Sequence, residues 1–316
     1  MRVGITAHLD DAALDLCRRA FATDTLYRAD RTGGAPAWDE SFAACEVMFG
    51  TIPAAWIPQL TALRWLQLES VGYEYYRDAS ALIRQRDIRV TNLEGQFAHP
   101  AAETVIAGIL SLTRGLDELS VARQERRWRS LKIRPTTSLL ARSTAVVLGA
   151  GSIGRQVRQV LEAFGCRVLT FARRSLLAEL HGTEQLDAVL PECDLVIGCL
   201  PSTPATRMLL DRDRIAALPP TAIVANVGRG SLIDEDALAE ALDSGRLGGA
   251  VLDVTHEEPL PVDHPLWTTP RTILTQHTGG GHREELIDKA RFFAANAERF
   301  RAGEQLRGLV DCQLEY

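Results

Sequence analysis

Apolar and polar positions along the chain fall into two sets. Short apolar runs of strand length occupy residues 2–5, 46–49, 65–68 and 89–91. A second series occupies 145–148, 168–171, 195–197, 223–225, 250–252 and 273–274. Stretches with helical spacing lie between or after them, at 10–20, 153–164 and 234–243. Short continuous apolar runs between helical patterns describe strands buried on both faces, and strand–helix alternation builds parallel sheets covered by helices. The predicted class is therefore α/β with two parallel-sheet domains. Two longer helical stretches, 100–128 and 283–301, each follow one strand set and are the expected crossings between domains. This reading assigns residues 1–99 and 283–316 to one domain and inserts residues 100–282 as the other.

The length of 316 residues agrees with two cores rather than one. The chain is 46% hydrophobic and 24% charged, ordinary for a globular protein. A net charge of −6 leaves no basic stripe for nucleic acid, and the pairs Arg18-Arg19 and Arg126-Arg127 read as solvated helix faces. The longest apolar stretch, residues 101–112, contains Glu103 and is too short to span a bilayer. Met1-Arg2-Val3-Gly4-Ile5 starts like a strand rather than a signal peptide. The six cysteines have neither metal-ligand nor redox spacing and read as reduced, mostly buried small residues. A cytoplasmic protein without nucleic-acid or membrane partners is expected. No histidine pair comes with a third ligand, so no metal is expected either.

Gly149-Ala150-Gly151-Ser152-Ile153-Gly154 has the spacing G-x-G-x-x-G. The buried-strand run 144–148 precedes it and an amphipathic helical stretch follows it. In such a turn Gly149 allows the tight bend, Gly151 lets the backbone approach a pyrophosphate, and Gly154 lets helix and strand pack closely. The helix start, at Ser152 and Ile153, offers N–H groups to the phosphates. The alternative is a strand–helix turn without a ligand. After the next strand, where an acidic residue would bind adenosine ribose hydroxyls, stands Ala172, followed by Arg173-Arg174-Ser175. Two guanidiniums with no acid beside them favour a 2′-phosphate, hence NADP(H) over NAD(H), although both arginines could simply be solvated.

Three further segments set polar residues just after strands of the same half. They are 226–234 (Asn226-Val227-Gly228-Arg229, then Gly230 to Asp234), 252–260 (with Asp253 and Glu258) and 273–280 (with Gln276, His277 and Gly279). A histidine is a natural proton donor near neutral pH, a carboxylate can fix its tautomer, and an arginine can grip a carboxylate substrate. Each has a bland alternative: Arg229 could pair with Asp234 or Glu235, Glu258 could be a surface carboxylate, and His277 could be structural.

In the order and spacing of these motifs the chain resembles the D-isomer-specific 2-hydroxyacid dehydrogenase family, and most of all its glyoxylate/hydroxypyruvate reductases. The turn Cys199-Leu200-Pro201-Ser202-Thr203-Pro204-Ala205-Thr206 is similar to a family motif, as are Ser70-Val71-Gly72-Tyr73 and Asn92-Leu93-Glu94-Gly95 with Glu103. The resemblance implies two Rossmann/flavodoxin-like domains and an NAD(P)-dependent reduction of a small 2-oxo acid to the D-2-hydroxy acid. His277 would be the acid/base, Glu258 its partner and Arg229 the substrate anchor. It implies cofactor contacts from Leu200, Pro201, Thr206, Val227, Gly228, Asp253 and Gly279, besides Gly149, Gly151, Ser152, Ile153, Gly154, Arg173, Arg174 and Ser175. Backbone N–H groups at Val71 and Gly72 would bind the substrate carboxylate, with Tyr73 narrowing the pocket. It further implies a homodimer, with the stretch 100–128 as its contact. An NAD(P)H-sensing corepressor-like protein, a phosphoglycerate dehydrogenase-like enzyme or a dehydrogenase of specialised biosynthesis, all of the same fold, are the alternatives; formate dehydrogenases carry an amide where Glu258 stands. The family usually has proline where this chain has Gln276, and Gly279-Gly280-Gly281 reads as a flexible run.

Overall fold

A computed structural model of the chain describes residues 1–30 and 35–312. In chain order its elements are β1 (Arg2–Ile5), α1 (Asp11–Ala20), β2 (Thr25–Arg28), β3 (Val47–Phe49), β4 (Trp65–Gln67), α2 (Ser80–Gln85) and β5 (Arg89–Thr91). Then come α3 (Ala98–Arg114), α4 (Leu116–Gln124), α5 (Ser130–Ile133), β6 (Thr144–Leu148), α6 (Ser152–Ala163) and β7 (Arg167–Phe171). The rest are α7 (Thr183–Val189), β8 (Leu195–Gly198), α8 (Arg212–Ala217), β9 (Ile223–Asn226), α9 (Glu235–Asp243), β10 (Gly249–Leu252), β11 (Thr272–Leu274) and α10 (Glu285–Ala302). They form two compact units, Met1–Gln96 with His282–Tyr316, and Phe97–Gly281.

The first unit holds a parallel five-stranded sheet in the order β2-β1-β3-β4-β5, the flavodoxin-like arrangement. One face carries α1 and α10. There Phe293 stacks on Phe49 at 4.3 Å and on Phe21 at 4.9 Å, with Trp65 at 5.3 Å. Polar groups inside this core are paired rather than absent. Trp65 Nε1 donates to Thr91 Oγ1 (2.7 Å), Thr91 Oγ1 to Gln67 Oε1 (2.8 Å) and Asn296 Nδ2 to the same Gln67 oxygen (3.0 Å). Such a closed network costs little to bury and specifies one register between helix and sheet.

The second unit holds a parallel six-stranded sheet in the order β11-β10-β9-β8-β6-β7. Its strands alternate between two cores. Val146, Leu148, Val196, Val224 and Leu252 pack on one face, where α7, α8 and α9 contribute Leu186, Ile215 and Leu238. Ala145, Val147, Ile197, Ala225 and Val251 pack on the other, against Val105 and Ile109 of α3 and Val157 and Leu161 of α6. Burial on both faces explains the unbroken apolar runs. A single parallel bridge, Phe171 to Leu180, adds a rudiment of a seventh strand beyond β7. The order reverses between β6 and β8, and ligands of open α/β sheets bind at the carboxyl ends of strands at such a reversal.

Two local expectations are corrected. The stretch 100–128 is not one helix: Gly115, at φ +64°, ends α3 in a left-handed cap and starts α4 on a new axis. β2 was missing from the pattern because it is a half-exposed edge strand with only Leu26 and Tyr27 as apolar signals. Truncating the centre of the aromatic cluster, Phe293→Ala, is expected to cost about 3–5 kcal/mol in chemical denaturation; a cost under about 1 kcal/mol would mean the cluster is not the core of its unit.

Candidate active site

β6 runs straight into the glycine turn. The Gly149 amide donates to the Phe171 carbonyl (2.9 Å) and its φ is +125°. A Cβ on Gly149 would stand 2.9 Å from the Cys199 carbonyl oxygen, so the ends of β6 and β8 meet here without room for a side chain. A Cβ on Gly154 would collide with the Gly149 carbonyl, whereas at Gly151 nothing lies within 4 Å. Gly151 caps α6 with extended backbone and no side-chain bond, and the first intrahelical bond runs from the Arg155 amide to Gly151. The amides of Ser152, Ile153 and Gly154 therefore have no acceptor within the helix. An open glycine before a bare helix N-terminus fits a dinucleotide pyrophosphate.

Beyond β7, Arg173 and Arg174 are exposed, and neither enters an ion pair among the described residues. Ser175 Oγ accepts the Leu177 amide at 3.2 Å. After β8, Leu200 is half-buried and Pro201 exposed, but Thr206 is buried. The Thr206 hydroxyl donates to the Pro201 carbonyl (2.6 Å) and accepts the Thr203 amide (2.9 Å). The expected direct cofactor contact of Thr206 is thus replaced by a structural role: it staples the turn that presents Leu200 and Pro201.

At the end of β9, buried Asn226 shapes the next turn. Its Nδ2 donates to the Arg229 carbonyl (2.9 Å) and its Oδ1 accepts the Gly228 amide (3.0 Å). The Val227 side chain faces the core and Gly228 is buried, so this turn offers backbone and the Arg229 side chain. Arg229 Nη1 donates to the Gly228 carbonyl at 2.9 Å.

Asp253, buried just after β10, gathers the remaining pieces. Its amide donates to the Asn226 carbonyl (2.9 Å) and its carbonyl accepts the His277 amide (2.6 Å). Its Oδ1 accepts Thr275 Oγ1 (2.6 Å) and the Gly279 amide (2.9 Å). Glu258 then meets His277, with Oε2 at 2.6 Å from Nδ1, while Glu258 Oε1 accepts the Thr255 amide at 3.1 Å. Both carboxylate oxygens are engaged, the imidazole is held by Nδ1, and Nε2 is the ring nitrogen left to meet a substrate. The sequence pattern marks Arg229, Glu258 and His277; it does not mark Asn226, which holds the Arg229 turn, or Thr275, which bonds to the Asp253 carboxylate.

Gln276 and His277 have φ of +54° and +57°. Proline is locked near φ −65°, so the family's usual residue before the histidine cannot adopt this backbone. The Gly279-Gly280 pair is packed rather than slack. A Cβ on Gly279 would stand 2.7 Å from Asp253 Oδ2, and one on Gly280 would stand 2.8 Å from the Phe97 ring.

In the first unit, the Val71 carbonyl accepts Asn92 Nδ2 (3.0 Å), and the Ser70 carbonyl accepts the Leu93 amide (3.0 Å). Gly72 is buried. Tyr73 is only 1% exposed. It stacks on Tyr76 and its hydroxyl lies 3.0 Å from Ser80 Oγ. Burial pushes the Tyr73 phenol well above its ordinary range. Its ring belongs to the core of its own unit, so the expectation that Tyr73 narrows a substrate pocket is corrected.

A sequence model described as "D-isomer specific 2-hydroxyacid dehydrogenase, NAD binding domain" matches residues 106–279. The chain is 34% identical to a glyoxylate/hydroxypyruvate reductase A of Serratia proteamaculans over 70% of each chain. A D-isomer-specific 2-hydroxyacid dehydrogenase of Xanthobacter autotrophicus, solved with NADPH and MES, superposes with a TM-score of 0.82 at 26% identity, covering 100% of this chain and 99% of the other. A family protein of Aeromonas salmonicida gives 0.80 at 29% identity, over 98% and 99%. The fold and the site define a nicotinamide-dependent oxidoreductase. The chain belongs to the D-isomer-specific 2-hydroxyacid dehydrogenases. Among the described residues no helix is long and apolar enough to cross a membrane.

The left-handed pair at 276–277 generates a stability test. Gln276→Gly is expected to be neutral or to stabilise by up to about 1 kcal/mol, because glycine meets that φ without strain. Gln276→Pro is expected to destabilise by roughly 3 kcal/mol or more. Equal denaturation midpoints for the two variants would show that residue 276 does not hold a positive φ.

Proposed function

We propose that this enzyme reduces a small 2-oxo acid of the glyoxylate/hydroxypyruvate kind to its D-2-hydroxy acid and prefers NADPH to NADH. The observation that carries the reading is the 2.6 Å contact of Glu258 with His277 Nδ1, on the same sheet edge as the open glycine turn. The relative from Serratia named for this reaction supports the substrate class. In this reading the unit Phe97–Gly281 is the nucleotide-binding domain and the unit of Met1–Gln96 with His282–Tyr316 the substrate domain, within three residues of the boundaries expected from the sequence.

The amides of Gly151, Ser152, Ile153 and Gly154 hold the pyrophosphate of the dinucleotide, and Gly149 keeps the turn tight. Leu200 and Pro201, with the backbone of Val227, Gly228 and Gly279, line its path, and Asp253 Oδ2 is the oxygen offered to the nicotinamide carboxamide. A bound nicotinamide supplies the hydride that attacks the carbonyl carbon. His277 Nε2 gives the proton that the carbonyl oxygen takes up, so that C=O becomes CH–OH. Glu258 holds Nδ1, fixing the ring orientation and balancing the charge of the imidazolium. Arg229 grips the substrate carboxylate and turns the carbonyl toward the hydride donor. In the first unit the backbone N–H groups of Val71 and Gly72 are the proposed donors to a substrate carboxylate.

Arg173, Arg174 and Ser175 suit a 2′-phosphate, since Ala172 brings no carboxylate there to repel it. The relative from Xanthobacter, solved with NADPH, supports this choice. A homodimer is the proposed assembly. Trp128 and Leu131 are 93% and 84% exposed, and Leu116, Val121 and Leu139 are also exposed on the stretch 116–139; a second copy would cover them.

Purified protein is expected to oxidise NADPH with glyoxylate or hydroxypyruvate, and His277→Ala to lower kcat by about 10²–10⁴-fold. Arg173→Ala with Arg174→Ala is expected to raise KM for NADPH while leaving that for NADH unchanged. Unaltered turnover in His277→Ala would remove it as proton donor, and equal KM changes for both cofactors would remove the 2′-phosphate assignment. In sedimentation, twice the chain mass is expected, with Trp128→Glu reduced to the 34.7 kDa monomer; a monomeric parent protein would contradict the dimer.

A further inference from the structure

Beside the Glu258–His277 pair lies a second carboxylate that the reaction as described does not use. Glu235 is the first residue of α9, yet its side chain is only about one-tenth exposed. Its Oε1 accepts the His256 amide at 2.6 Å. Its Oε2 lies 3.7 Å from His264 Nε2. The Leu266 amide donates to His264 Nδ1 (3.3 Å), which makes that nitrogen the acceptor and turns the Nε2 proton toward Glu235. The preceding amide, Thr255 N, is the one held by Glu258 Oε1. Two adjacent amides are therefore bound by two different carboxylates, one in the proton-donor pair and one anchored on α9.

We infer that Glu235 is a positioning residue for the proton donor: by holding the His256 amide it fixes the 255–256 turn, whose other amide keeps Glu258 in place against His277. The inference rests on the roles given to Glu258 and His277 above. Three observations carry it. First, a Cβ on Gly230 would collide with the Thr255 carbonyl group, so the turn lies directly on the segment that follows Arg229, and a shift at 255–256 is felt on both sides. Second, the dipole of α9 does not need a buried acid. Asp234 already caps the helix by accepting the Ala237 amide, and Asp236 sits exposed in the first turn. Third, the position costs energy to maintain. Burial pushes the Glu235 carboxyl above its usual range; the His256 amide and His264 pull against this, while the nearby Asp236 and Glu258 charges add to it. A carboxylate kept where its charge is disfavoured points to the contact it makes rather than to solubility.

Steady-state kinetics of three variants test this. Glu235→Ala removes the contact, Glu235→Asp keeps the charge but withdraws it from the amide, and Glu235→Gln keeps an acceptor oxygen without the charge. Ala and Asp are expected to lower kcat by about 10- to 100-fold with KM for NADPH unchanged. The solvent deuterium isotope effect on kcat is expected to rise as proton donation becomes the slower step. Gln is expected to recover most of the loss. Parental kcat and isotope effect in both Ala and Asp would overturn the inference, as would a Gln variant no better than Ala. Glu258→Gln run in parallel separates the two levels: if it alone lowers kcat, only the role of Glu235 falls, whereas if neither residue matters, the acid–base reading of Glu258 and His277 falls with it.

Discussion

Asp253 is the residue on which the sheet edge depends. A strand that ends at a carboxyl edge leaves peptide groups unpaired, and a loop that carries chemistry there must satisfy them without covering the site. The Asp253 backbone bonds to Asn226 on one side and to His277 on the other. Its buried carboxylate takes Thr275 and Gly279 besides. One acidic residue therefore sets the turn bearing Arg229 and the loop bearing His277 in a common frame. Bonds to a charged oxygen contribute roughly 1.5–3 kcal/mol each, more than neutral ones.

That frame is what allows strain in the histidine loop. Two successive side-chain-bearing residues, Gln276 and His277, hold left-handed backbone. Each such residue costs about 1–3 kcal/mol, comparable in size to the Asp253 bonds that flank them. The bend turns the imidazole so that Nδ1 reaches Glu258, and it explains why a proline is incompatible with position 276 here. The neighbouring glycines answer a different need, since the carboxylate of Asp253 and the ring of Phe97 occupy the space that side chains would take.

The architecture was largely legible in the sequence, because fully buried parallel strands write continuous apolar runs that are hard to mistake. β2, the half-exposed edge strand, left little trace, and the break at Gly115 was hidden inside an otherwise regular helical pattern. At the site, the pairing of Glu258 with His277 followed from motif order. The supporting roles of Asn226, Thr206 and Thr275 did not, because a hydroxyl or amide that bonds to backbone looks the same in sequence as one that faces a ligand. Tyr73 misled for a related reason: an aromatic in a motif loop reads as pocket wall until its partners, Tyr76 and Ser80, show it to be core. The buried environment of Glu235 was equally invisible, since it arises from the segments 255–256 and 264–266 folding over α9.

The central claim is that the ends of β6, β9, β10 and β11 together hold a dinucleotide and a proton donor. A crystal structure of the protein with NADPH and oxalate, an unreactive mimic of a 2-oxo acid, tests it most directly. The account expects the pyrophosphate on the amides of Ser152 and Ile153, the 2′-phosphate beside Arg173 and Arg174, and an oxalate oxygen within hydrogen-bond distance of His277 Nε2. Oxalate bound away from His277, or a dinucleotide that bypasses the glycine turn, would contradict it.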